Sequence, residues 1–262
     1  MRKKSEPYSS SLSDKEWKIL EPLLPARSHL GRPPTYPLRD IVNGILYVLV
    51  EGIRWRSMPK DLPPWDSVYG YFRLWRNNGV LENMHQALYV KERERQGRHS
   101  SPSAGCIDSQ SVKGHNKGIR GFDGGKQVKG RKRHMLVDTL GLLRAILVTT
   151  ANINDKTGAK KLLSKLKGRF PRFKTLFADG AYQHQFPDWL NSTLGWLTDI
   201  VINLAKGFNV IPKRWVVERS FAWLGQCRRL SKDYEDLPAS SEAFIFLAMS
   251  RIMLKRLAKE LP

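Results

Sequence analysis

Gly105-Cys106-Ile107-Asp108-Ser109-Gln110-Ser111-Val112 is short and alternating, and its period of two reads as a β-strand. The residues after it decide the fold class. Arg133–Leu140 and Leu142–Thr150 are two more strand-like runs, joined across Thr139-Leu140-Gly141 as a hairpin. Asp155-Lys156-Thr157-Gly158 caps a helix running to about Lys167. Phe173–Ala178 is an apolar strand ending in Asp179-Gly180, followed by a helix near Gln185–Asn191 and a strand at Asp199–Asn203. A helical pattern runs from Lys213 through Arg229, and a last helix covers Ser240 to about Lys259. The order β-β-β-α-β-α-β-α predicts a mixed α/β layer that begins with three consecutive strands.

Upstream the texture is helical. Ser13-Asp14-Lys15-Glu16 is a capping box, with Trp17, Leu20 and Leu24 on one face of the helix it opens. A second helix from about Leu38 carries Ile41, Ile45 and Leu49, with Gly52 as its stop. A third begins near Trp65 with Val68, Phe72 and Trp75 inward, and Tyr69, Arg73 and Arg76 on its opposite side. A fourth carries Leu81, Met84 and Leu88. Short helices, one with a basic and aromatic face, fit a helix-turn-helix-like DNA-binding module equally with a plain helical bundle. Lys91–Gly105 is charged, then rich in Ser, Pro and Gly. The expected organisation is therefore a helical domain over 1–90, a linker over 91–104 and an α/β domain over 105–262.

The 262 residues carry 45 Lys+Arg against 24 Asp+Glu, a net +21, which calls for a polyanionic partner. With 41% apolar residues the chain has ample material for a core. Two cysteines, Cys106 and Cys227, make no disulfide framework and read as reduced intracellular thiols. Basic Met1–Pro7 has no apolar run behind it, and Ile45–Val50 is too short to span a bilayer, so neither a signal peptide nor a membrane protein is expected. Residues 101–135 hold the densest excess of charge. Lys126, Lys129, Arg131, Lys132 and Arg133 sit between two strand-like segments, and are read as a phosphate-contacting loop.

Phosphodiester chemistry commonly uses two hard divalent ions held by carboxylates from separate elements. Three acids are misplaced by ordinary rules. Asp108 interrupts a strand, Asp179 ends another, and Glu218 lies between Val216-Val217 and Phe221-Ala222-Trp223. Each also has a structural reading: Asp108 as an Asx turn, Asp179 as a turn residue, Glu218 as an ion-pair partner of Arg214 or Arg219. At 100° per residue, Arg214, Glu218, Gly225, Arg229 and Lys232 fall within about 60° on a helical wheel, a carboxylate flanked by cations. The six histidines show no zinc spacing, and there is no phosphate-binding glycine loop or Gly-x-Ser-x-Gly.

Those residues carry a resemblance. Trp17…Leu20-Glu21-Pro22-Leu23-Leu24-Pro25, Gly31-Arg32-Pro33-Pro34, Gly52-Ile53-Arg54-Trp55-Arg56-Ser57-Met58-Pro59 and Tyr71-Phe72-Arg73-Leu74-Trp75 resemble the N-terminal region of bacterial transposases of the fifth insertion-sequence family, within the DDE transposases. The likeness continues through Ile107–Lys113, Phe177–Tyr182 and Arg214–Leu230. It implies a ribonuclease-H-like mixed sheet with flanking helices, in which Asp108, Asp179 and Glu218 are the catalytic, metal-binding acids. It further implies two Mg²⁺ ions (with Mn²⁺ as a substitute), cleavage at element ends, and attack of the freed 3′-hydroxyl on target DNA. The partners implied are terminal inverted repeats and target DNA, with a homodimer in the complex, in the cytoplasm of a bacterium and at its nucleoid. Within the Tyr-x₂-Arg-x₃-Glu-x₆-Lys pattern of the wider group, Arg214 and Glu218 fit, but Ile211 stands at the Tyr and Gly225 at the Lys. A DNA-binding regulator without catalysis and a stand-alone nuclease remain the alternatives.

Overall fold

The computed structural model describes residues 7–26, 35–115, 117–200 and 215–260. The chain divides into two units, one of residues 1–96, 226–231 and 243–262, the other of 97–225 and 232–242.

In the first unit, Ser13 caps α1 (Asp14–Leu20): its hydroxyl accepts the Glu16 N–H at 3.2 Å, and the Glu16 carboxylate accepts the Ser13 N–H at 2.8 Å. The apolar spacing of α2 (Leu38–Glu51) buries Ile41, Ile45, Val48 and Leu49. The helix ends at Gly52, at φ +70°, where a Cβ would meet the Arg228 Cβ at 2.9 Å. α3 (Trp65–Asn77) and α4 (Val80–Arg95) complete the N-terminal helices. α4 therefore runs through the first residues of the expected linker. Residues 243–258 of α8 (Pro238–Ala258) also belong to this unit. Phe244 is fully buried there, its ring stacked on Phe72 at 4.6 Å and on Trp55 at 6.0 Å. The helical unit thus takes in, besides the expected 1–90, residues 226–231 and 243–262 from beyond the expected linker.

The second unit is built on one sheet of β1 (Ala104–Lys113), β2 (Gly121–Asp123), β3 (Val128–Asp138), β4 (Leu143–Thr150), β5 (Thr175–Ala178) and β6 (Leu197–Ile200). β3 pairs antiparallel with β1, β2 and β4, whereas β1, β5 and β6 run parallel. This is the mixed sheet with consecutive leading strands that the sequence predicts, with the short β2 as an addition. Ile107, Leu136, Leu176 and Ala178 of the sheet pack with Ala159, Leu162 and Leu163 of α5 (Asp155–Ser164) and Phe186 and Leu190 of α6 (Gln185–Leu194). α7 (Trp215–Leu224) packs on β1 and β3 with Val216, Val217, Ser220, Phe221 and Leu224 buried, none of them in that apolar cluster.

Two local expectations are corrected. Asn154, not Asp155, caps α5, accepting the Lys156 N–H at 2.9 Å. α7 stops at Leu224, so the helical stripe through Gly225, Arg229 and Lys232 does not form; Arg229 lies in a separate 3₁₀ turn, Arg228–Leu230.

Candidate active site

The parallel pairing of β1 and β5 places two acids side by side. Cys106 pairs with Phe177, and Asp108 and Asp179 each stand two residues farther along. Asp179 keeps an extended backbone (φ −86°, ψ 177°), so alternation continues through it. Ile107, Leu176 and Ala178 point into the apolar cluster, and Asp108 and Asp179 share the opposite face, half-buried. The turn reading holds for Asp179, whose Oδ1 accepts the Ala181 N–H at 2.9 Å, whereas Asp108 stays within β1 and its Oδ1 accepts the N–H of the next residue, Ser109, at 2.6 Å, so no Asx turn forms there. Each bond orients one carboxylate.

Glu218 is exposed on α7. Its neighbour Arg219 lies over Trp215 and Trp223, at 4.3 and 4.8 Å from the ring centres, and donates to the Leu140 carbonyl at 2.9 Å. Among the described residues no three His, Cys, Asp or Glu side chains stand close enough to hold a metal ion. The two aspartates are brought together, and Glu218 is not gathered with them.

Tyr182 is a residue that sequence reasoning passed over. Its hydroxyl is buried without a hydrogen-bond partner among the described residues. Burial first, then the charges of Asp108, Asp155 and Asp179, push its phenol well above the ordinary range. A local sequence signal existed, since a tyrosine three residues past a strand-ending acid returns toward the same strand end.

The basic run is largely not a loop. Arg131, Lys132 and Arg133 lie in β3 and are buried. Arg131 donates to Asp233 at 3.1 Å and to the carbonyls of Ile119 and Asp236. Arg133 reaches Gln110 at 3.3 Å and the Lys232 carbonyl at 3.4 Å, and burial lowers its pKa to about 10. Lys132 bridges Asp123 at 3.1 Å and Asp155 at 2.9 Å. Burial opposes its charge, but those two partners outweigh it and raise the pKa. These three cations serve the interior because an unpaired buried charge would cost several kcal/mol. Lys126 and Lys129 are exposed, and Lys126 Nζ donates to the Ser109 carbonyl at 3.2 Å, beside the acid-bearing strand.

The other expected DNA contacts separate likewise. Arg73 is exposed on α3. Tyr69 packs on Trp55 at 5.2 Å, and Arg76 bonds Asn77 at 2.9 and 3.1 Å. Arg229 is buried, donating to the Ile53 carbonyl at 2.8 Å, so it is withdrawn from that role. Lys232 is exposed. Arg214 and Ile211 lie outside the described residues.

Residues 99–253 match the family model described as transposase DDE domain. The chain belongs to the DDE transposases. Residues 12–85 match the model of the IS4/5 transposase family. A 16.2 kDa protein of insertion element IS402 from Burkholderia cepacia is 33% identical over 109 residues, 39% of this chain and 72% of that relative. The mixed sheet of this transposase is accordingly ribonuclease-H-like. Its helices α1 to α3 and the first turn of α4 lie within the insertion-sequence match, and none of its described helices is long and apolar enough to cross a membrane.

Proposed function

We propose that this transposase binds the terminal inverted repeats of its element, cleaves the element ends and joins the freed 3′-hydroxyl to target DNA. The observation that carries the reading is the β1–β5 register, which sets Asp108 and Asp179 level on one face. Two half-exposed carboxylates are hard oxygen donors and fit a divalent ion that keeps several waters. Asp108 and Asp179 would hold Mg²⁺, or Mn²⁺ in its place, with Glu218 joining once DNA is bound; two such ions supply Lewis-acid stabilisation of the attacking and leaving oxygens. Lys126 and Lys129, exposed and next to β1, would hold the phosphate backbone there, with Lys232 a further contact. Arg73 on α3 would contact the repeat. The working assembly is a homodimer on two ends, in the cytoplasm and at the nucleoid.

One observation favours a DNA-binding regulator instead: no third carboxylate joins the aspartate pair among the described residues. Incubating the full chain with an end-containing duplex and Mg²⁺ decides between them. The transposase reading expects strand cleavage and transfer that Asp108→Ala and Glu218→Ala abolish. End binding with no cleavage by the parent supports the regulator, cleavage without transfer supports a plain nuclease, and cleavage by both variants overturns the site.

A further inference from the structure

Behind Asp108 the sheet holds a buried charged network that the proposed chemistry does not use. Ser109 points to the face opposite Asp108, and its hydroxyl donates to Asp155 Oδ1 at 2.7 Å. The same Oδ1 receives Lys132 Nζ at 2.9 Å, and Lys132 reaches Asp123 Oδ2 at 3.1 Å. Ser111, the next residue on that face, donates to Asp123 Oδ2 at 2.5 Å. Lys132 is 5% exposed and Asp123 9%.

Burying such a set is a poor way to stabilise a sheet, because apolar residues of similar volume often do as well or better. What the network does achieve is to fix one residue in place. Ser109 is held by its hydroxyl from α5 and by its carbonyl from Lys126, and its N–H is the donor that orients Asp108 Oδ1 at 2.6 Å. We infer that the Lys132–Asp155 pair positions the Asp108 carboxylate, acting through Ser109 across the thickness of the strand. Asp155 and Lys132 are thus positioning residues, and this role rests on the reading of Asp108 as a metal ligand. Outer partners of this kind commonly change metal affinity by about 10–100-fold.

The test is Mn²⁺ binding to the full chain, followed by electron paramagnetic resonance of the free ion, with thermal melting in the absence of metal as the check on folding. Asp108→Ala defines the binding that belongs to the site. Ser109→Ala and Asp155→Asn are expected to weaken that binding about tenfold. Ser111→Ala, which removes the matching hydroxyl bond to Asp123 from the next residue of β1 on that face, is expected to leave it within about twofold. If Asp155→Asn fails to fold, Ser109→Ala decides, since it removes a single hydroxyl. A shift under twofold in Ser109→Ala, or an equal shift in Ser111→Ala, overturns the positioning role while the nuclease reading stands. A parent with no Asp108-dependent Mn²⁺ binding overturns both.

Discussion

Gly158 lies flat against the imidazole of His134: a Cβ on Gly158 would fall 2.0 Å from Cε1 and 2.2 Å from Nε2 of that ring. The absence of a side chain lets the first turns of α5 close onto β3, carrying Asp155 to Ser109 and Lys132. Gly158→Ala sets two effects against each other. Alanine gains about 1 kcal/mol of helix propensity. Overpacking a rigid ring costs about 1–3 kcal/mol or more, and here the clash is with a buried ring rather than a flexible chain end. The variant should therefore lose stability in urea titration, and one at least as stable as the parent would show that α5 stands off β3.

The same histidine sets a pH dependence. Burial lowers the His134 pKa to about 4, against the pull of Asp155 and with the push of Lys132, Lys126 and Lys161. Unfolded, the group titrates near 6.5, so between those values the unfolded chain binds more protons. Stability from this group is full above about pH 6.5 and declines as pH falls toward 4, by at most ~3 kcal/mol. His134→Gln removes the titration. Its unfolding free energy should fall less than the parent's between pH 7 and pH 4.5, and parallel curves would contradict the assignment.

Lys129 and Arg131 lie two residues apart and should behave oppositely. Lys129 is exposed, so Lys129→Ala should change stability by no more than about 0.5 kcal/mol. In DNA binding it should lower the slope of log K against log salt by about 0.9, the contribution of one phosphate contact. Arg131→Ala takes from the buried Asp233 its ion-pair partner, leaving it the Ser241 hydroxyl, the Glu235 N–H and the charge of Arg133, and should cost about 3–5 kcal/mol of stability. Filter binding across a salt series, with urea melts of both variants, separates the two. Equal salt slopes for Lys129→Ala and the parent would remove it from the interface.

The two strands bearing Asp108 and Asp179 were legible because period-two alternation is local and an acid interrupting it is conspicuous. The first half of β3, Val128 to Lys132, was hidden for the reverse reason. Its basic run looks solvated until partners appear, and Asp233 lies 102 positions away from Arg131. The Lys132 network depends on the pairing of Ser111 with Lys132, a register that no single stretch encodes. The helical stripe failed at Gly225, where the chain leaves α7 and the Gly225 N–H bonds the Ala222 carbonyl. Helical spacing shows which face is apolar, but not where the helix stops.

The last helix was legible as a helix and illegible as to which core it joins. Phe244, Leu247, Ala248 and Met249 are buried, and Phe244 stacks on Phe72 of α3. A chain of residues 1–96 alone would thus expose the apolar surface that α8 covers, and it should show no cooperative thermal transition. Phe244→Ala in the full chain should cost about 3–5 kcal/mol, the usual loss for a buried aromatic. Hydrogen exchange would localise that loss to the amides of α2, α3 and α4, with β1 and β3 protected as in the parent. If residues 1–96 melted cooperatively by themselves, the helical unit would be complete without the end of the chain, as a helical domain over 1–90 requires.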